Sequence, residues 1–170
     1  MQLNTVFILL GTNLGNREAN LRDAITKITE LCIHKPIKSS VYETLPIGFD
    51  SDLKFLNQVI SIVTSLDPFE LLEKLLEIEL LLGRERQGKG YSSRTIDLDI
   101  VYFNSDIIQS ETLTVPHPRL HLRRFTMVPM VEIAPDFIHP VLGLSQTRIL
   151  SQLEDKNEVR NYDITDHPKD

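Results

Sequence analysis

Hydrophobic and polar positions divide this chain into a short series of elements. Residues 5–10 (Thr-Val-Phe-Ile-Leu-Leu) form an apolar run that stops at Gly11, the pattern of a buried strand. Thr12-Asn13-Leu14-Gly15-Asn16 follows, rich in turn formers and able to cap a helix. Leu21, Ala24, Ile25, Ile28 and Leu31 then recur at helical spacing, which predicts one apolar stripe, closed by Pro36. Residues 38–47 read as a strand centred on Val41-Tyr42-Glu43-Thr44, and residues 49–54 as a polar loop. Residues 55–64 are rich in β-branched side chains and suit a second, paired strand. Asp67-Pro68-Phe69-Glu70 is a helix start with a cap, a first-turn proline and a capping-box glutamate. That helix is predicted to run to about Leu82 and stop at Gly83. Residues 84–95 read as a loop, 96–103 as an alternating strand, 104–106 as a turn and 107–108 as the start of a returning strand. Helices are predicted over 123–132, despite Pro129, and over 145–153.

Strand, helix, strand, strand, helix, strand is the ferredoxin-like βαββαβ order. The expected class is α+β: an antiparallel sheet with helices packed on one face, plus C-terminal additions. Residues 1–153 are expected to form one domain and 154–170 a charged tail. This fold hosts many functions, so the choice among them falls to individual residues.

Composition narrows the classes. The 170 residues, 41% hydrophobic and 25% charged, are ordinary for a globular domain with a real core. A formal net charge of −6 argues against a general nucleic-acid binder. The single cysteine, Cys32, excludes an internal disulfide framework and reads as a buried, inert thiol. No basic stretch followed by an apolar leader is visible, and residues 6–10 are too short to cross a membrane. The expectation is a cytoplasmic enzyme or binding domain with no nucleic-acid, membrane or obligate protein partner.

Chemistry concentrates near residue 97. Side chains alternate along a strand, so Ile96, Leu98 and Ile100 share one face while Asp97 and Asp99 share the other. The two aspartate Cα atoms should stand about 6.6–6.8 Å apart. Carboxylates at that spacing can hold a pair of metal ions, and oxygen-only ligation suits Mg²⁺, which shares its remaining sites with phosphates. The bland alternative is a half-buried strand with two aspartates facing water. Aspartates disfavour strands, however, and two on one face repel, so a compensating cation or hydrogen bonds are required. Arg84, Arg86, Lys89 and Arg94 precede the pair, opposed only by Glu85. Cations beside metal-binding carboxylates suit phosphoryl transfer. Gly83 to Lys89 imitates the opening of a P-loop, but Gly90 stands where the hydroxyl residue belongs and the segment follows a helix. His117 and His121 lie four apart beside prolines, which favours a phosphate-contacting or structural histidine over a zinc-bearing helix.

These motifs together resemble the 6-hydroxymethyl-7,8-dihydropterin pyrophosphokinase family. The resemblance runs over residues 5–150. It is carried by Gly11-Thr-Asn13-Leu, Tyr42-Glu-Thr44, Phe55-Leu-Asn57, Gly83-Arg84-x-Arg86 and Arg94-Thr-Ile-Asp97-Leu-Asp99, then by Val115-Pro116-His117-Pro118-Arg119, Arg123-x-Phe125 and Glu132-Ile-Ala-Pro135. It implies ATP-dependent transfer of a diphosphate group to a pterin alcohol, with ATP and the dihydropterin alcohol as partners and two Mg²⁺ ions on Asp97 and Asp99. Arg84 and Arg94 would brace the transferred phosphates as catalytic residues. Glu79, Arg84, Arg86, Arg94, Ile100, Thr114, His117 and Arg123 would line the nucleotide site. Thr44, Leu45, Ile47, Phe55, Asn57 and Phe125 would form the pterin pocket. A flat heterocycle can stack between Phe55 and Phe125, while Asn57 supplies both a donor and an acceptor. Segments near 12–16, 46–54 and 84–95 would close over the substrates.

The chain departs from the family pattern where Gly90-Tyr91-Ser92-Ser93-Arg94 replaces the usual Arg-Trp-Gly-Pro-Arg. Leu45 also takes the place of a common proline, and Thr112 that of a basic residue in some members. These changes bear on loop closure and turnover speed more than on reaction type. Two other readings share the paired aspartates or the fold: a Mg²⁺-dependent nucleotidyltransferase attacking the α-phosphorus, and a non-catalytic ferredoxin-like ligand-binding module.

Overall fold

A strand that is apolar at consecutive positions needs cover on both faces. The computed structural model, which describes residues 1–45, 53–83 and 95–164, provides that cover for β1 (Asn4–Thr12). Val6, Ile8 and Leu10 point into one hydrophobic cluster, and Phe7 and Leu9 into another on the opposite side.

The first cluster is covered by α1 (Arg17–Thr29) and α2 (Pro68–Leu81). Asn16 caps α1 by accepting from the Ala19 N–H, and Leu21, Ala24 and Ile28 form its buried stripe. On α2, Asp67 and Glu70 form the reciprocal capping box, while Leu71, Leu75 and Ile78 face the sheet. Each such aliphatic side chain contributes about 1.5–3 kcal/mol on full burial. Gly83, at φ 93°, takes the left-handed conformation that ends the helix.

The main sheet contains β2 (Ile37–Lys38), β3 (Val41–Thr44), β4 (Phe55–Thr64), β5 (Asp97–Phe103) and a C-terminal strand, β8 (Arg160–Tyr162), besides β1. Its order is β5-β1-β4-β3-β8, with β2 also on β4, and every pairing is antiparallel. Its core is the ferredoxin-like arrangement expected from the element order. The predicted strand over 38–47 is broken at Ser39 and Ser40: Lys38 faces Ile60, yet Tyr42 faces Asn57. The Ser39 hydroxyl accepts the Val59 N–H at the break (3.0 Å), so the bulge leaves that amide satisfied.

Helices α1 and α2 share one face, as expected, and the C-terminal additions cover the other. There α3 (Arg124–Ile133) packs with Leu120 and Phe137 over Phe7, Leu9, Val59, Val101 and Tyr102. Glu132 of α3 accepts from the backbone and hydroxyl of Ser40 (2.8 and 2.9 Å) and from the Tyr42 hydroxyl (2.6 Å). The returning strand foreseen at 107–108 does not rejoin the main sheet. Instead β6 (Ile108–Gln109) pairs with β7 (Thr114–Val115) in a separate ribbon.

The expected tail is partly structural. Asp155 accepts the Arg124 N–H (3.0 Å), capping α3 where its own N-cap residue, Arg123, offers no side-chain bond. Farther on, β8 extends the sheet beyond β3. A shorter helix, α4 (Gln146–Ser151), is capped by Ser145. Among the described residues no helix is long and apolar enough to cross a membrane.

His139 is buried in this second layer. Its Nδ1 accepts the Val141 and Leu142 amides (3.2 and 3.1 Å), and its ring meets Tyr102 edge-on at 5.5 Å. Burial, helped by nearby His121, pushes its pKa from 6.5 down to about 4. Such a group gives its full stabilisation above about pH 6.5 and loses it as pH falls through about 4, because the unfolded chain binds the proton first. Denaturant unfolding at a series of pH values should show stability declining across that window. His139→Asn, which keeps an acceptor for the turn, should flatten the decline.

Candidate active site

Four adjacent strands bring the predicted residues together. Gly11 pairs with Asp97 on one side and with Asn57 on the other, so a row across the sheet reads Asp97, Gly11, Asn57, Tyr42. Phe55, Asn57, Asp97 and Asp99 alternate away from the helix-covered core that holds Leu56, Leu98 and Ile100. Both aspartates are half-buried. Gly11 leaves the middle of the row without a side chain. A Cβ there would stand 3.5 Å from Asn57 Oδ1 and 3.9 Å from the Phe55 ring.

The edge strand β5 is fixed from several directions. Glu79, 2% exposed on α2, accepts the N–H of Leu98 (2.9 Å), the residue between the aspartates. The register of β5 against β1 shifts at Phe7 and Ile8, so Val101 and Tyr102 both turn to the second face. The Val101 carbonyl then accepts the His117 N–H (3.0 Å), seating His117 on the open edge. His117 Nδ1 accepts the amides of Arg119 and Leu120, both at 3.2 Å. Burial, with Arg119 adding to it, pushes the ring pKa down to about 4, against an opposing pull from Asp97. A neutral ring whose Nδ1 is an acceptor carries its proton on Nε2. His117 is thus a neutral N–H donor whose charge state feels Asp97.

The pterin-pocket candidates fall into place unevenly. Thr44 and Asn57 are buried and joined, with Asn57 Nδ2 donating to Thr44 Oγ1 (2.8 Å). Phe55 is half-buried beside them, and Phe125, in the first turn of α3, packs against the second cluster. Leu45 is exposed, and Ile47 lies outside the described residues. Of the nucleotide candidates, Thr114 and Arg123 are half-buried. The side chains of Glu79 and Ile100, also nucleotide candidates, both make contacts within the protein. Glu79 closes the strand edge and Ile100 enters the core beneath the helices. Ile100 has only its backbone to offer a ligand. Arg84, Arg86 and Arg94 lie outside the described residues.

Asp97 and Asp99 suit a hard cation by their chemistry, since both offer oxygen and share the open face. Among the described residues no group of three or more His, Cys, Asp or Glu side chains could hold a metal alone. Oxygens beyond these two carboxylates would be required to complete the coordination of such a cation.

Sequence reasoning missed the residues that brace this site. Glu132, Asp155, Arg17 and Asn20 are polar side chains with long-range partners. Periodicity carries no sign of such pairings.

Comparisons with known proteins bear on family and fold. The 2-amino-4-hydroxy-6-hydroxymethyldihydropteridine pyrophosphokinase of Bacillus subtilis is 45% identical over 131 residues, 76% of this chain and 78% of that protein. The Haemophilus influenzae protein of the same name is 36% identical over 157 residues, 92% of this chain and 97% of its own length. The crystal structure of Plasmodium falciparum HPPK-DHPS superposes with a TM-score of 0.70. At 16% identity, over 88% of this chain and 44% of that one, it supports the fold alone. The sequence profile of the 7,8-dihydro-6-hydroxymethylpterin-pyrophosphokinase family matches residues 7–135, which span the aspartate pair, the open row at Gly11 and the seated histidine. The chain belongs to that family.

Proposed function

We propose that this protein transfers a diphosphate group from ATP to the hydroxymethyl oxygen of 6-hydroxymethyl-7,8-dihydropterin, releasing AMP, in folate biosynthesis. The observation that carries this reading is the row in which Gly11 separates Asp97 from Asn57. It sets a carboxylate pair suited to metal-bound phosphates beside an amide and an aromatic ring suited to a flat, polar heterocycle.

The alcohol oxygen attacks the β-phosphorus and gives up its proton to solvent, while the bond from that phosphorus to the α–β bridging oxygen breaks and that oxygen leaves on AMP. Two Mg²⁺ ions held by Asp97 and Asp99 would supply neutralisation of phosphate charge. His117 presents its Nε2–H to a phosphate or ribose oxygen. Because the ring stays neutral, it donates without adding a titrating charge. Arg123 and Thr114 contribute from the same side, with Glu79 and Ile100 acting through the backbone of β5. Arg84, Arg86 and Arg94 are assigned to the phosphates, with Arg84 and Arg94 bracing the transferred group. Phe55 and Phe125 hold the pterin faces, Asn57 reads its edge, and Thr44 fixes the Asn57 amide. Leu45 and Ile47 complete that pocket. Positioning and charge neutralisation supply most of the rate.

Incubation with ATP, Mg²⁺ and the pterin alcohol should yield AMP and a pterin diphosphate in equal amounts. Pyrophosphate release would instead indicate attack at the α-phosphorus. Asp97→Asn and Asp99→Asn should each lower turnover by roughly a thousandfold, the scale of losing a main electrostatic contact in the transition state. Their unfolding midpoints should stay near the wild-type value. Gly11→Val should fold, since β-branched residues suit strands. Its methyl groups fill the gap in the row, so pterin affinity measured by titration should fall about tenfold or more.

A further inference from the structure

The first turn of α1 makes contacts in two directions that the reaction does not explain. Arg17 Nη1 donates to Glu43 Oε2 and to the carbonyl of Lys54, both at 2.9 Å. Glu43 lies in β3 immediately before its last residue, Thr44, and Lys54 immediately precedes Phe55. One guanidinium therefore ties together the two strand ends that present the pterin-pocket residues. The tie is partly shielded, with the Arg17 and Glu43 side chains 24% and 20% exposed. A charge-assisted hydrogen bond in that setting is stronger than one in open water. The C-terminal strand supports it: the Arg17 guanidinium lies over the Tyr162 ring at 5.4 Å, and the Tyr162 hydroxyl donates to Glu18 (2.9 Å).

Asn20 stands three residues on, where a helix brings side chains to the same side as Arg17. Its Nδ2 lies 2.8 Å from the Leu14 carbonyl, 3.0 Å from the Thr95 carbonyl and 3.1 Å from Thr12 Oγ1. The Thr12 hydroxyl also donates to the Thr95 carbonyl. Thr95 is two residues before Asp97. The same helical turn that holds the pterin strands thus holds the entry of the aspartate strand.

We infer that Arg17 and Asn20 are positioning residues with separate roles: Arg17 sets the acceptor pocket, and Asn20 sets the carboxylate pair. The inference rests on the proposed reaction, and wild-type AMP formation in the same assay is its control. If the wild type forms no AMP, the reaction is wrong. If it does, the variants decide the positioning roles.

Partial unfolding would by itself lower apparent kcat at unchanged KM, so kcat is expressed per folded enzyme, with the folded fraction measured by circular dichroism at the assay temperature. Arg17→Met should raise the KM for the pterin alcohol about fivefold or more and leave kcat at saturation within about twofold. Asn20→Leu should do the reverse, lowering kcat about fivefold or more with the pterin KM within about twofold. Arg17→Lys and Asn20→Ser replace either variant that does not fold, and the same division is required of them. Equal shifts in both parameters, no shift in either, or the opposite division overturns the inference.

Discussion

The register of β5 against β1 is the constraint on which the site depends. Gly11 faces Asp97, and Leu9 faces Asp99. Because side chains alternate with a period of two, a slip of one residue would send both carboxylates into the apolar core and turn Leu98 and Ile100 outward. Burial of Leu98 and Ile100 opposes that slip, and specific bonds oppose it as well. Glu79 accepts the Leu98 amide, Asn20 and Thr12 hold the Thr95 carbonyl, and His117 takes the Val101 carbonyl beyond the register shift. The aspartates can be costly neighbours because so much else fixes their strand.

The two faces of the sheet divide the labour. Under α1 and α2 the contacts are aliphatic and continuous, and they account for most of the apolar burial. The opposite face carries Asp97, Asp99, Asn57 and Phe55, with α3 bringing Phe125 alongside. This second face relies on polar fasteners from distant sequence, including Glu132 on Ser40 and Tyr42, and Asp155 on the start of α3. Residues 155–162 are therefore tied into the elements around the site, although their composition resembles a solvated tail.

Much of this was legible from local rules. The capping box at Asp67 and Glu70, the stripe through Leu21, Ala24 and Ile28, and the common face of Asp97 and Asp99 all follow from periods of 3.6 and 2. What escaped was set by tertiary contact. The Ser39–Ser40 bulge depends on a hydroxyl replacing a backbone acceptor, which no periodicity announces. The strand at Arg160–Tyr162 is short and polar, and forms because β3 offers an edge. Motif position also gave no sign that the Glu79 side chain holds the strand edge or that Ile100 enters the core. Arg17 and Asn20 lie outside the apolar stripe of α1, and only the folded chain shows what they reach.

The bulge in β5 has an electrostatic consequence. By turning Val101 and Tyr102 to the same face, it places an aromatic cluster of Tyr102, Phe7 and Phe137 directly after the carboxylates on that strand. Asp99, half-buried, is consequently followed on the same face of the strand by a wall of low dielectric constant. Fields beside such a wall are screened less than in open water. A triphosphate and its counter-ions entering this corner would feel each carboxylate more strongly than the net charge of the protein suggests.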